Sequence, residues 1–274
     1  ERMGSSSKFQ GQTILITGAS SGLGEEFARQ LVAMGARVGL VARRAELMEK
    51  LAGELNCQGD RVVAAVADVS DRESLKSAVA ELARRLRINV FDRVLLNAGV
   101  GITFKAKEFS AARLEEVTRV NYLGAANTIE AVLPGMIAAR AGHIVGVSSL
   151  SARRGLPVGF AYGASKAAMT TMLEGMRVEL KPLGIAVTVI HPGFIRTPMT
   201  SNQETPQPGL LDPEVAVRGM LQAIASRKKQ YNFPFSTTFL TGALRRMPVA
   251  LSDFLVEKVV LKSIEDAERK GKER

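Results

Sequence analysis

The segment Gly18-Ala19-Ser20-Ser21-Gly22-Leu23-Gly24 constrains the fold of this chain more than any other. It follows Thr13-Ile14-Leu15-Ile16-Thr17, a short apolar run with the character of a strand. An amphipathic helical stretch from Glu25 to Met34 comes next. Strand, glycine-rich turn and helix start together build a phosphate site. Glycines let the backbone approach a pyrophosphate closely, and the free N–H groups of the helix start attract the anion. The spacing is Gly-x-x-x-Gly-x-Gly, not the Gly-x-Gly-x-x-Gly of most dinucleotide turns. A plain tight turn needs a glycine only where φ is positive. Three glycines in this strand–helix setting point to a nucleotide cradle.

Strand and helix patterns alternate along the rest of the chain. Strands are expected at Thr13–Thr17, Arg37–Val41, Val62–Val66, Arg93–Leu96, His143–Val147 and Ala186–Ile190. Several are almost wholly apolar, as in strands buried on both faces. Long helices are expected over Ala112–Ala139 and Ala161–Leu183. The fold class is α/β: one doubly wound parallel sheet of Rossmann type with helices on both faces and a helical C-terminal extension. Residues 1–9 read as a flexible leader and 10–235 as the dinucleotide-binding and catalytic domain. Residues 236–274 read as an apolar helical extension of that domain. Pro198–Pro213, rich in Pro, Ser, Thr and Gln, is expected to be a mobile lid over the substrate.

Hydrophobic residues make up 46% of the 274, enough for a buried core. The single cysteine, Cys57, rules out an intrachain disulfide and suits a reducing compartment. No apolar run approaches the length of a membrane span, and Glu1–Ser7 has no signal-peptide core. A cytoplasmic location is expected. The net charge of +10 comes in short clusters such as Arg43-Arg44, Arg153-Arg154 and Arg245-Arg246. They are scattered and no nucleic-acid-binding motif accompanies them, so nucleic acid is not an expected partner. Attraction to an anionic membrane surface stays open.

Tyr162 and Lys166 lie four apart, which puts both side chains on one helix face. An ammonium beside a phenol favours the phenolate, and makes tyrosine a proton donor and acceptor usable near neutral pH. Ser149, thirteen residues earlier, can hold a carbonyl oxygen against that phenol. His143 and His191 have no partners at metal-ligand spacing, and no metal is expected.

Thr17-Gly18-x-x-x-Gly22-x-Gly24, Asn97-Ala98-Gly99, Asn121, Ser149, Tyr162-x-x-Ser165-Lys166 and Pro192-Gly193, in this order, resemble the short-chain dehydrogenase/reductase family. The resemblance covers roughly residues 10 to 230. It implies a hydride transfer between a nicotinamide and a carbonyl or alcohol carbon. Tyr162 is then the general acid/base, Ser149 binds the substrate oxygen, and Lys166 holds the nicotinamide ribose and keeps the tyrosine acidic. Asn121 is expected to hold a water that links Lys166 to solvent. The cofactor set implied is Gly18, Ser20, Ser21, Gly22, Leu23, Gly24, Arg43, Asp68, Val69, Asn97, Ala98, Gly99, Tyr162, Lys166, Pro192, Gly193, Ile195 and Thr197. Asp68 and Val69 are assigned to the adenine, although Asp68 equally suits a helix cap near Asp71. Ile195 and Thr197 are assigned to the carboxamide. A homodimer or homotetramer is expected from the family.

An acidic residue at the end of the second strand marks NAD-selective sites. Here that place is Ala42, followed by Arg43. A guanidinium fork matches a 2′-phosphate, so NADP(H) is expected, with Ser20 and Ser21 as hydroxyl partners. Ile102, Phe104, Leu150, Leu156, Phe160, Phe194 and Met199 are expected to line an apolar pocket, with Arg153 and Arg154 facing solvent. The substrate is then a hydrophobic, lipid- or steroid-like ketone, aldehyde or alcohol. Beyond residue 235, Phe239, Leu240, Ala243, Leu244 and Met247 form a helical stripe, broken by Pro248. Leu251, Phe254, Leu255, Val259 and Leu261 continue it. This tail resembles the hydroxysteroid-dehydrogenase-like branch and is expected to pack on the core or a second subunit. Peripheral membrane contact is the alternative. A non-catalytic, NADP(H)-binding regulatory role is the other reading kept open.

Overall fold

The structure is a computed structural model that describes residues 8–56, 61–201 and 207–264. Seven parallel strands form one sheet: β1 (Thr13–Thr17), β2 (Arg37–Ala42), β3 (Val62–Val66), β4 (Arg93–Leu96), β5 (Gly142–Val147), β6 (Ile185–Pro192) and β7 (Gln230–Phe233). Their order is β3-β2-β1-β4-β5-β6-β7. The winding reverses between β1 and β4, which opens a crevice at their carboxyl ends. The six expected strands are present. The seventh, Gln-Tyr-Asn-Phe, is too short and too polar to read as an apolar run. It pairs along Val189–Pro192 of β6.

The helices are α1 (Gly22–Ala33), α2 (Ala45–Leu55), α3 (Arg72–Leu86), α4 (Ala111–Thr118), α5 (Gly124–Ala139), α6 (Phe160–Leu180), α7 (Pro198–Ser201), α8 (Pro213–Ala225), α9 (Phe235–Arg246) and α10 (Val249–Leu255). One apolar layer packs α1, α2 and α8 on the sheet through residues such as Phe27, Met48 and Met220. The opposite layer packs α3, α5 and α6 through Leu82, Ile129 and Leu173. None of the described helices is long and apolar enough to cross a membrane.

Four expectations change. The helix expected over Ala112–Ala139 opens into a π-helical turn at Arg119–Leu123, between α4 and α5. Phe9 is fully buried under the Arg93 guanidinium, 4.7 Å from its ring centre, so ordered packing begins inside the expected leader. Arg153 and Arg154 are half-buried and meet the extension. Arg154 Nε donates to Ser252 Oγ at 3.2 Å and its fork pairs with Asp253 of α10, while the Arg153 carbonyl accepts from Arg245 Nη1 at 3.4 Å. The extension therefore packs on the core, but by a different face from the one expected. Leu244, Ser252, Val256 and Ile264 are buried, whereas Phe239, Leu240, Leu251, Phe254 and Val259 are exposed. Cys57, residues 202–206 of the expected lid, Glu1–Ser7 and the charged end from Glu265 lie outside the described residues.

Candidate active site

The glycine turn joins the end of β1 to the start of α1. Gly18 and Gly22 have φ of +69° and +58°, the left-handed region that favours glycine. A Cβ on Gly18 would stand 2.7 Å from the Ala98 Cα, and one on Gly24 would stand 2.2 Å from the Gly18 carbonyl oxygen. Thr17 fastens the turn to β4: its Oγ1 accepts from the backbone N–H groups of Asn97 and Ala98, both at 3.2 Å. Asn97 Nδ2 returns the contact to the carbonyls of Thr17 and Gly18, at 3.0 and 3.3 Å.

A cavity of about 410 Å³ runs over these strand ends. Every residue expected at the cofactor or the reaction centre lines it, except Gly24 and Asn121, which stand behind its wall. The Ser20 and Ser21 hydroxyls lie at one end and Ser149, Tyr162 and Lys166 at the other. The glycines keep the floor of this trough bare, and a trough that starts at a glycine turn and helix start over the strand ends fits a dinucleotide.

At the first end, Arg43 and Arg44 have different partners. Arg43 Nη1 lies 3.6 Å from Asp68 Oδ2. Arg44 caps the start of α2 and reaches back to the turn. Its Nε and Nη2 donate to Ser20 Oγ at 3.1 and 2.8 Å, and Nη2 also donates to Ser21 Oγ at 2.6 Å. The sequence singled out Arg43; Arg44 lines the same cavity beside it. Asp68 Oδ1 accepts from the Ser70 N–H and hydroxyl, each at 2.8 Å. Burial pulls the Asp68 pKa up, but the Ser70 donors and Arg43 outweigh it and hold the carboxyl below its ordinary value. The cap of α3 is Asp71, which accepts from Ser74 N, so Asp68 is left facing the cavity.

At the other end, α6 carries Tyr162 and Lys166. Lys166 is 3% exposed, and its Nζ donates to the Val147 carbonyl at 2.9 Å and lies 5.9 Å from the centre of the Tyr162 ring. Burial lowers its pKa to about 8. The Tyr162 phenol is not depressed as expected. Burial pushes it up, and a hydrogen bond with Ser149 offsets part of the rise. Burial and Ser149 set its direction, while the Lys166 amine donates to Val147. Ser149 holds an extended backbone at the end of β5 and caps the turn Leu150–Ala152, its Oγ accepting from Ser151 N at 3.1 Å.

Asn121 is fully buried in the π-helical turn. Its Oδ1 accepts from Val100 N at 2.8 Å, and its Nδ2 donates to the Val100 carbonyl at 3.1 Å and to Ser165 Oγ at 3.0 Å. Ser165 in turn donates to the Tyr162 carbonyl at 2.7 Å. A Cβ on Gly99 would meet Asn121 Oδ1 at 3.1 Å and Lys166 Nζ at 3.3 Å, so the three converge. The segment after β6 folds over the glycine turn, where a Cβ on Gly22 would lie 3.3 Å from the Thr197 Cβ.

Of the seven apolar residues expected in the substrate pocket, only Met199 lines this cavity. Phe104 is 3% exposed and forms a small core with Val117 and Ala161, against which Ile102, Phe160 and Tyr162 pack. Phe104 and Phe160 meet edge to face at 5.1 Å. They support the ring of Tyr162 from behind. Among the described residues there is no group of three or more His, Cys, Asp and Glu that could hold a metal ion.

A family model described as short chain dehydrogenase matches residues 12–208. The chain belongs to that family. It is therefore an oxidoreductase of the kind that interconverts ketones and alcohols, with a fold that binds a nicotinamide cofactor. An uncharacterized oxidoreductase of Myxococcus xanthus is 37% identical over 242 residues, covering 88% of this chain and 95% of the relative. The structure is also similar to a short-chain dehydrogenase from Streptomyces avermitilis, with 28% identity and a TM-score of 0.77 over 91% of this chain and 98% of that one. A 3-oxoacyl-(acyl-carrier protein) reductase with bound NAD from Brucella melitensis has 30% identity and a TM-score of 0.72, over 85% of this chain and 94% of that one.

Proposed function

We propose that this dehydrogenase uses NADP(H) to interconvert a hydrophobic ketone or aldehyde and its alcohol, with Tyr162 as general acid/base. The observation that carries the reading is the meeting of Ser149, Tyr162 and Lys166 at one end of a trough whose other end is Arg44, Ser20 and Ser21.

The preference for NADP(H) rests on that second group. Ala42 leaves no carboxylate at the end of β2 to receive ribose hydroxyls. Arg44, already held by two serine hydroxyls, presents a guanidinium fork suited to a 2′-phosphate, with Arg43 beside it. Gly18, Gly22, Leu23 and Gly24 receive the pyrophosphate at the start of α1. Asp68 and Val69 flank the adenine. Asn97, Ala98 and Gly99 form the floor, and Pro192, Gly193, Ile195 and Thr197 the opposite wall.

When bound, the nicotinamide supplies or accepts the hydride. In the reductive direction Tyr162 gives its proton to the carbonyl oxygen, and Ser149 donates a hydrogen bond to the same atom. A phenol raised by burial stays protonated at neutral pH, as an acid must. In the oxidative direction the phenolate is needed. Lys166 would hold the ribose hydroxyls, with its Nζ 5.9 Å from the centre of the Tyr162 ring. Asn121 fixes the Val100 backbone and Ser165, and through Ser165 the start of α6.

The test follows NADPH absorbance across ketones and aldehydes from small to steroid-sized, with NADH in parallel. Tyr162→Phe should bind NADPH normally and lose about 10²–10⁴-fold in turnover. A variant that turns over like the parent removes Tyr162 from the chemistry.

A further inference from the structure

A second cavity, of about 490 Å³, lies behind the Ser149 turn and shares no lining residue with the first. α6 contributes Thr170 and Glu174, β6 contributes His191, and the turn after β5 contributes Arg153. Arg245 and Arg246 come from α9, so the C-terminal extension completes the cavity. Three guanidiniums stand against one carboxylate, a net charge of +2. Among the described residues none of the three arginines forms an ion pair, whereas their neighbour Arg154 does. Three like charges gathered around a single carboxylate repel, and an anion relieves that repulsion. The Arg153 fork reaches α9 at Gly242, where a Cβ would sit in ordinary contact, 3.5 Å from its Nη2. His191 is 1% exposed, with its ring nitrogens held by Thr170 and Gln230; burial and the nearby Arg153 keep it neutral down to about pH 4, so it adds no charge to the cavity.

The space exceeds what a bare phosphate fills and falls within the roughly 300–1,000 Å³ of small-molecule sites. The apolar surface beside it is the second observation. On α9, Phe235, Phe239, Gly242 and Arg246 fall on one stripe by their spacing of four, three and four. Phe235 and Phe239 are 83% and 70% exposed, with their rings stacked 6.5 Å apart. An exposed aromatic pair thus leads along the helix to the arginine cavity.

We infer that this cavity binds the phosphate of an amphiphilic phosphoester, with the arginines on the phosphate and the apolar part along Phe235 and Phe239. Guanidinium forks match phosphate oxygens two at a time. The ligand is either a free phosphoester or the headgroup of a bilayer lipid, and the inference does not depend on the reaction proposed above.

The test titrates the full chain, in saturating NADPH, with hexyl phosphate and with inorganic phosphate by calorimetry. In parallel, the chain is sedimented with phosphatidylglycerol or phosphatidylcholine vesicles. Hexyl phosphate should bind more tightly than inorganic phosphate. Arg153→Ala and Arg246→Ala should each weaken it about tenfold or more. Lys50→Ala, on the opposite face of the sheet, should change it less than about twofold. Phe239→Ser should weaken hexyl phosphate alone. Sedimentation with phosphatidylglycerol only, lost in the same arginine variants, assigns the site to a bilayer lipid; binding in the calorimeter without sedimentation assigns it to a free phosphoester. Binding lost in Arg44→Ala but kept in Arg153→Ala would place the phosphate in the dinucleotide cleft and overturn the inference, as would no binding in either arm.

Discussion

Arg43 and Arg44 are chain neighbours with different partners: one leans on Asp68, the other clasps Ser20 and Ser21. That difference is the ground on which Arg44 is proposed as the phosphate partner. If Arg44 carries the NADP(H) preference, Arg44→Ala should weaken NADPH by about tenfold or more and leave NADH within about threefold. Fluorescence titration of both cofactors measures this, and an equal loss for both would remove the assignment. The sequence supplied an arginine pair after a strand that ends without a carboxylate. It did not supply the choice between the two, because that depends on where α2 begins and on how the turn after β1 folds back. The same holds for Tyr162. Its spacing to Lys166 is visible in the chain, but the direction of its pKa depends on burial and on the hydrogen bond with Ser149.

At the scale of elements, glycine shows how context decides the sign of one substitution. Gly24 begins α1 beside the Gly18 carbonyl, where a methyl group would lie 2.2 Å from the oxygen. Gly175 sits inside α6 with nothing within 4 Å of that position. Gly24→Ala should cost about 1–3 kcal/mol and loosen the turn that receives the cofactor. Gly175→Ala should stabilise by roughly 0.5–1 kcal/mol through lower chain entropy and better helix propensity. Chemical denaturation of both variants checks the pair, and a shared sign would contradict the geometry. Element types were largely legible, since each strand before β7 is a compact apolar run and the helices are periodic. The π-helical turn around Asn121 was not, because the partners of that side chain, Val100 and Ser165, come from distant segments. The inward face of the extension was misread for a related reason. Arg154 anchors α10 by Ser252 and Asp253, which overrides the apolar stripe.

For the molecule as a whole, burying Lys166 links folding to pH. Its folded pKa of about 8 lies below the ordinary 10.5, so the folded state disfavours the charged amine. Between those values the unfolded chain binds more protons, and stability rises with pH. The cost is fully present below about pH 8 and is relieved towards pH 10.5, by roughly 2–4 kcal/mol. Tyr162, with its raised pKa, acts in the opposite sense only above its ordinary value near 10. Thermal unfolding of the cofactor-free protein from pH 7 to 10 should therefore show a rise that Lys166→Met lacks. Parallel curves for the two proteins would mean that Lys166 is not held in this way.

The sequence by itself determined the doubly wound parallel sheet, the glycine turn and the tyrosine–lysine face, because each is written in residues close along the chain. Turn, strand and helix chemistry are local, and their order leaves few ways to stack. The tertiary structure alone decided which arginine meets the serines, that Asn121 is clamped in a widened turn, and that Phe104 supports the Tyr162 ring without lining the cavity. It also decided that α9 closes an arginine-lined cavity against α6. Each of these depends on side chains brought together from distant segments. Such meetings are set by packing and burial, which no local spacing encodes.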